Sequence, residues 1–390
     1  MKKFINTAVA VFLCICFLFS LSSCNFGGKT VKIPKKKVAL LVAPESEYPD
    51  DFRAAQKLAG EFPDTIVIKE YSDSRILKEG NAQIIEISKK IAQDSSFGAI
   101  VYARGTQFCL DAIAAAKLIN EDLLFYCIEP EDDIDTVATF STAVVAVDWE
   151  KACEDIVKSA KSAGARSFVM FSFNRHTADN PLYASISGFI KSACEENHII
   201  YKFVESKDPI YSSSLTECEV SVNEAVLSMI SKKEIEGNRN VALFSTDVTV
   251  QKTLVEIAQT HNYIYVSPEL PSAYSGIFSR YNLLDSTSDK AYSDVVKAVI
   301  DSVNGDSTSS GKLFVYDFDL IELFERTCIY SAFDVLCKPS KGEKIYKNLV
   351  KRADELFDKT EYSFKGDETY SNLIYLYSPA FSLIEKPESK

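Results

Sequence analysis

Arg104 stands between an apolar run, Ala99–Ala103, and the pair Gly105-Thr106 at the start of a helical stretch. A guanidinium fixed there can clamp a carboxylate, a phosphate or a pair of sugar hydroxyls in defined geometry. The same group also suits a structural salt bridge to a neighbouring acid, and the sequence leaves both readings open. Asn174, Arg175 and His176 follow a second apolar run, Ser167–Phe173. They offer hydrogen bonds to a ligand, and His176 adds a group that titrates near neutrality; loop capping would use the same residues. Thr246 and Asp247 follow Val241–Ser245, where a carboxylate accepts from ligand hydroxyls or caps the next helix. Tyr48, Phe173 and Tyr274 can sandwich a ring or pack one lobe on another.

Recognised catalytic and metal-binding spacings are absent. The chain has no Gly-rich dinucleotide or phosphate loop, no GxSxG elbow and no HExxH. His176, His198 and His261 are far apart and lack zinc-ligand spacing, so neither a metal nor a cofactor is expected. With 43 basic against 55 acidic residues, the net charge of −12 argues against a nucleic-acid partner.

The elements that must hold these groups alternate short apolar runs with amphipathic stretches, the pattern of βαβ units. Val38–Ala43, Thr65–Tyr71, Ala99–Ala103 and Leu123–Ile128 read as strands. Helices over 51–60, with Asp50 or Asp51 as cap, over 83–91 and over 108–118 lie between them. Runs this uniformly apolar imply strands covered on both faces, hence a largely parallel sheet. The rhythm restarts with a helix over 149–163 and continues through strands at Ser167–Phe173, Ile199–Val204, Val241–Ser245 and Tyr263–Ser267. Helices over 181–197 and 248–261 accompany them. Beyond the polar break at 307–311, a strand over 312–317 and a helix over 343–358 are expected, and the last forty residues receive no assignment.

In open parallel sheets, ligands bind beyond the carboxyl ends of the strands, where loops converge and helix N-termini present free N–H groups. That rule selects Glu45, Ser46 and Tyr48, then Arg104, Thr106 and Gln107, then Glu129 and Glu131 from the first half. From the second half it selects Asn174, Arg175 and His176, then Thr246 and Asp247, then Glu269 and Tyr274.

The N-terminus carries a different signal. Lys2 and Lys3 precede an apolar stretch over 8–21, and Leu21-Ser22-Ser23-Cys24 follows at once. The stretch is short for a hydrocarbon core of ~30 Å but suits a cleavable leader. Small residues before a cysteine fit a lipoprotein signal, with Cys24 lipidated, residues 1–23 removed and residues 24–36 a tether. The expected place is the cell envelope, anchored on the extracytoplasmic side. Export permits disulfides, yet the seven cysteines after Cys24 form no CxxC pair, and most are expected as unpaired core residues.

Taken together, Ser167–His176 and Val241–Asp247 with Gln251 resemble segments of an uncharacterised family of bacterial lipoproteins with the type I periplasmic-binding-protein fold. That fold is shared, distantly, with ribose-binding protein and the basic-membrane-protein nucleoside receptors. The similarity runs from about Lys37 to Tyr274, with Asn174 where the family suggests proline and Asp247 where it suggests asparagine. It implies an α/β chain of two Rossmann-like lobes with parallel sheets joined by a hinge and three crossings between them. The first lobe is expected over 37–147 with part of 278–312, the second over 148–277 with part of 313–390. It implies further a solute-binding lipoprotein that closes on a sugar, nucleoside or small anion, with a transporter permease or membrane sensor as partner. An extracytoplasmic hydrolase, or a structural or adhesion lipoprotein without a ligand, are the alternatives.

Overall fold

The computed structural model describes residues 31–237, 239–267, 274–283, 292–306, 310–316, 319–356, 362–378 and 381–385. Cys24 and the leader, and Glu269, lie outside the described residues, as does the side chain of Tyr274.

Two sheets divide the described chain. The first begins with β1 (Lys37–Val42), helix α1 (Pro49–Glu61) and β2 (Ile66–Glu70). Helices α2 (Asp73–Glu79) and α3 (Ala82–Gln93), β3 (Phe97–Tyr102), α4 (Cys109–Lys117), β4 (Leu124–Ile128), α5 (Ile134–Phe140) and β5 (Ala143–Val147) follow. The second takes up α6 (Trp149–Ser162), β6 (Ser167–Ser172), α7 (Pro181–Glu196), β7 (Ile200–Glu205), α8 (Leu215–Ser231) and β8 (Val241–Ser245). It continues with α9 (Gln251–His261), β9 (Ile264–Tyr265), α10 (Tyr292–Gly305) and β10 (Lys312–Tyr316). Helices α11 (Leu320–Cys337) and α12 (Glu343–Leu356) and strands β11 (Ser363–Gly366) and β12 (Leu373–Tyr377) rejoin the first lobe, and β13 (Phe381–Ile384) closes the second.

Strand order is β2-β1-β3-β4-β5-β12-β11 in one sheet and β7-β6-β8-β9-β10-β13 in the other. All pairings are parallel except the edge pairs β11–β12 and β10–β13. Strands β3, β5, β6 and β8 are buried along their whole length, the burial that their apolar runs predict for strands covered on both faces. One face of the first sheet packs on α1, α11 and α12, the other on α3 and α4. In the second lobe α8, α9 and α10 cover one face, and α6 and α7 the other. Both orders reverse direction at a doubly wound switch point, β1/β3 and β6/β8, which is where the carboxyl ends open a crevice. The architecture is that of type I periplasmic binding proteins, and the chain passes between the lobes after β5, after β10 and after β12.

Several assignments shift. The described part of 278–312 packs on the second lobe through Val295, Val299 and Val303, while 320–377 returns to the first. Residues 313–316 and 381–384 belong to the second sheet. Helix α1 starts at Pro49, which puts Asp50 and Asp51 inside its first turn; neither caps it, and the cap position falls on Tyr48. Asp247 precedes a single 3-10 turn over 248–250, and α9 begins only at Gln251. The seven cysteines of the described chain are free thiols, and all but Cys337 are buried.

Candidate functional site

The carboxyl ends of β1 and β3 bring Tyr48 and Arg104 together. The Arg104 guanidinium lies over the Tyr48 ring, 4.4 Å from its centre, and Nη2 donates to Asp51 Oδ2 at 2.9 Å. Arg104 is 7% exposed, and among the described residues its Nε has no hydrogen-bond partner. The ligand-clamp and salt-bridge readings therefore describe one side chain with a donor in reserve. Behind it, Tyr71 Oη donates to the Arg104 carbonyl at 3.1 Å. Thr106 Oγ1 donates to Asp73, and Tyr48 Oη donates to the same carboxylate at 3.3 Å. Glu47 in turn accepts from Asp73 N at 2.7 Å and from the hydroxyls of Ser72 and Ser74.

After β4, Glu129 holds a left-handed backbone with φ 48°, rare for a residue with a side chain and commonest at functional sites. Its carboxylate accepts the Val147 N–H and, at 2.9 Å, the Trp149 indole N–H. Burial pushes the Glu129 carboxyl up to about 7 despite those two bonds. Glu131 reaches across the lobes and accepts from Asn180 Nδ2 at 3.0 Å. Burial, and then the negative charge of Asp73, push it up to about 8.

In the second lobe His176 Nδ1 lies 3.0 Å from Thr246 Oγ1, which is 2.6 Å from Ser172 Oγ. The imidazole stacks on Tyr183 at 3.9 Å, and burial followed by the charge of Arg175 holds it well below the usual histidine range. That environment keeps it neutral, so it does not act as a proton switch near pH 7. Arg175 pairs with Asp208 at 2.9 Å and lies over Phe173. The Asp247 carboxylate accepts the Thr249 N–H at 2.9 Å and caps the turn.

Not every expected residue reaches the cleft. Glu45 is exposed and pairs with Arg53 on α1, and Asn174 is exposed in a groove that it shares with Arg175 and Asp208. Gln107 is partly buried. Conversely, Asp51, Asp73, Trp149, Asn180, Tyr183 and Asp208 belong to the assembly and were not selected from sequence. Asp73 and Asp208 follow β2 and β7, so the strand-end rule applied to those outer strands finds them. Trp149, Asn180 and Tyr183 sit at the N-termini of α6 and α7, which that rule does not reach.

Among the described residues, two spaces lie between the lobes. One, of about 20 Å³, is lined by Arg104, Glu129, Trp149, Tyr183 and Thr246, room for little more than a water. The other, of about 440 Å³, shares Glu129, Trp149 and Leu182 with it and extends to Phe189, Lys365 and Tyr375. Gly105 is what brings the Arg104 loop this close. A Cβ there would lie 2.5 Å from Pro130 Cα and 2.7 Å from Cys127 Sγ. Gly105→Ala is therefore expected to cost about 1–3 kcal/mol in chemical denaturation, because the first contact is backbone and cannot rotate away.

No curated protein matches the chain. Among solved structures it is similar to a putative transcriptional regulator from Clostridium difficile 630, 16% identical, with a TM-score of 0.63 over 90% of this chain and 99% of that one. It is similar also to an ABC transporter solute-binding protein from Clostridium phytofermentas with bound L-rhamnose, at 9% identity and a TM-score of 0.53, over 90% and 96% of the two chains. A periplasmic ribose ABC transporter structure from Conexibacter woesei DSM 14684 aligns over 80% of this chain and 89% of that one, with 12% identity and a TM-score of 0.52. At these identities the likeness concerns the fold. The sequence itself matches a family model over residues 37–313, and the chain belongs to that family, described as protein of unknown function (DUF3798).

Proposed function

We propose that the protein is an extracytoplasmic solute-binding lipoprotein that captures a small polar molecule between its lobes for uptake or sensing. The observation that carries this reading is the meeting of polar groups from both lobes, Arg104, Glu129 and Glu131 from the first with Asn180, Tyr183 and Thr246 from the second, around a cleft that still holds open space. Among the described residues, Arg104 with its unused Nε, and Glu129 and Glu131 without a bonded cation, border the two cavities or bridge the lobes beside them. Buried polar groups of this kind are costly unless something completes their hydrogen bonds, and a ligand does so. Structures of this fold described as an ABC transporter solute-binding protein and as a periplasmic ribose ABC transporter lend the same reading support. Cys24 would supply the anchor, and among the described residues no helix is long and apolar enough to cross a membrane.

Arg175 and Asp247 stand back from this role, since one is committed to Asp208 and the other to Thr249. A hydrolase would need a free basic group at the cleft, and His176, the histidine nearest it, is stacked on Tyr183, buried and bonded to Thr246. A ligand-free structural role would suit a filled cleft, and the 440 Å³ opening speaks against one.

Native mass spectrometry of the full-length chain purified gently from rich medium tests the reading. A small molecule released intact on denaturation, and lost from Arg104→Ala, is the expected result. A bare protein mass, with no compaction in solution scattering on exposure to a solute extract, would refute it.

A further inference from the structure

The charge balance of the cleft narrows the ligand. We propose that the site takes a protonated amine that also carries a hydrogen-bond acceptor, with the ammonium against Glu129 and Trp149 and the acceptor directed inward to Arg104. The proposal rests on the solute-binding reading and deepens it.

The larger cavity is bordered by six carboxylates, Glu129, Asp132, Asp133, Asp148, Glu150 and Asp367, and by one ammonium, that of Lys365. Asp132, Asp133, Asp148 and Asp367 accept backbone N–H groups at helix or turn starts, which fixes their positions without cancelling their charge. Both cleft arginines already face an acid, Arg104 with Asp51 and Arg175 with Asp208. A small anion entering here meets net negative charge, a neutral sugar gains no Coulombic attraction, and a cation is drawn in.

Glu129 marks where the cation sits. It is 5% exposed and is held by the Val147 and Trp149 N–H groups. The indole that orients it also borders both cavities, and a cation that lies over the face of such a ring gains further attraction when desolvated. Leu182, Phe189 and Tyr375 complete a wall for the carbon skeleton.

A second, independent feature calls for more than charge. Arg104 lines the inner cavity, is more than nine-tenths buried, and has an unpartnered Nε. That donor needs a hydroxyl, carbonyl or carboxylate oxygen. Because the two cavities share Glu129, Trp149 and Leu182, one ligand of a few ångströms' length can satisfy both ends.

The test is calorimetric titration of the full-length chain at pH 7.5 and low salt with matched probes: glucosamine, glucose and gluconate, and ethanolamine against ethylene glycol. The amine is expected to bind at least tenfold more tightly than its neutral partner in at least one pair. Glu129→Gln should abolish the preference. Glu150→Gln, at an exposed residue on the rim, should weaken it a few-fold without touching the fold if the first variant misfolds. Equal or tighter binding of glucose, ethylene glycol or gluconate overturns the amine and leaves the solute-binding reading intact. If no probe binds, the ligand co-purified in native mass spectrometry decides. A basic nitrogen in its composition upholds the proposal, a composition without one overturns it, and a bare protein overturns both readings.

Discussion

Replacing Arg326 by methionine is expected to destabilise the first lobe by about 3–5 kcal/mol, the usual consequence of removing one partner from a buried ionic network. The side chain is 1% exposed and lies on α11 against α1. Its Nη1 and Nη2 donate to the two oxygens of Glu61 at 2.7 and 2.5 Å, and its Nε donates to Glu322 at 2.5 Å. Methionine fills the volume but leaves two carboxylates facing each other, with Lys57 as the neighbouring cation on Glu322 at 2.8 Å. Urea denaturation of Arg326→Met, Glu61→Gln and the double variant resolves the pair, and the double variant should lose less than the sum of the singles. A loss below about 1 kcal/mol for Arg326→Met would mean that the network is screened by solvent. The effect should also reach the cleft, because α1 carries the Asp51 that braces Arg104.

This network was invisible in the sequence for a physical reason. Helix α11 is buried on nearly all sides, so its apolar residues show no helical stripe, and Glu325 and Arg326 in mid-helix look like surface residues. The parallel strands were legible because burial on both faces makes them continuous apolar runs, as in β3 and β6. The closing edge strand β11 was not, since a half-buried strand such as Ser363–Gly366 carries little apolar signal, and β12, apolar throughout at Leu373–Tyr377, falls in the last forty residues that received no assignment. The return of 320–377 to the first lobe depends on contacts more than two hundred residues apart, such as Tyr126 with Ser331, that no local pattern encodes.

The site divides in the same way. Arg104, Thr106, Glu129 and Glu131 follow strands recognised from sequence, and the geometry gathers them. Whether Arg104 meets an acid, and which one, depends on α1 starting at Pro49 and carrying Asp51 inward. Asp247 could be read either as a ligand contact or as a cap, and its bond to Thr249 gives it the second part. A strand-end rule thus picks out residues that meet where the two lobes face each other, while the committed and the spare hydrogen-bonding groups emerge only when both lobes are in place.

The ligand-free chain is expected to lose at least about 3 kcal/mol of stability between pH 5 and pH 8, the reverse of a protein held by exposed carboxylate pairs. Burial raises Glu129 to about 7, and burial with Asp73 raises Glu131 to about 8. Burial with Glu322 raises Asp319 to about 7. Around Glu129 the charged neighbour is Arg104; around Glu131 they are Asp73, Arg104, Arg175 and Asp132; around Asp319 they are Glu322, Lys57 and Asp51. Unfolded, these groups release their protons near ordinary carboxylate values, while the folded chain keeps them until about 7 or 8. Stability is therefore fully present at about pH 4–5 and drains away as the pH climbs to about 8. Holding one carboxyl from 4.5 to about 7 corresponds to on the order of 3 kcal/mol once it ionises. His176 opposes the trend, because its lowered value adds stability as the pH rises towards about 6.5, while Asp51, Asp73, Asp247 and Glu325, also raised chiefly by burial, act with the trend. Denaturation midpoints at pH 5, 6, 7 and 8 check the sign, and a flat or rising profile would sink the argument; Glu129→Gln should flatten part of the slope. The same proton reports on the ligand. A protonated amine settling beside Glu129 at pH 7 favours the ionised carboxylate and expels a fraction of a proton, so the measured heat should vary with the buffer's ionisation enthalpy. A neutral solute stacked on Trp149 leaves that proton in place, and its heat should be the same in every buffer.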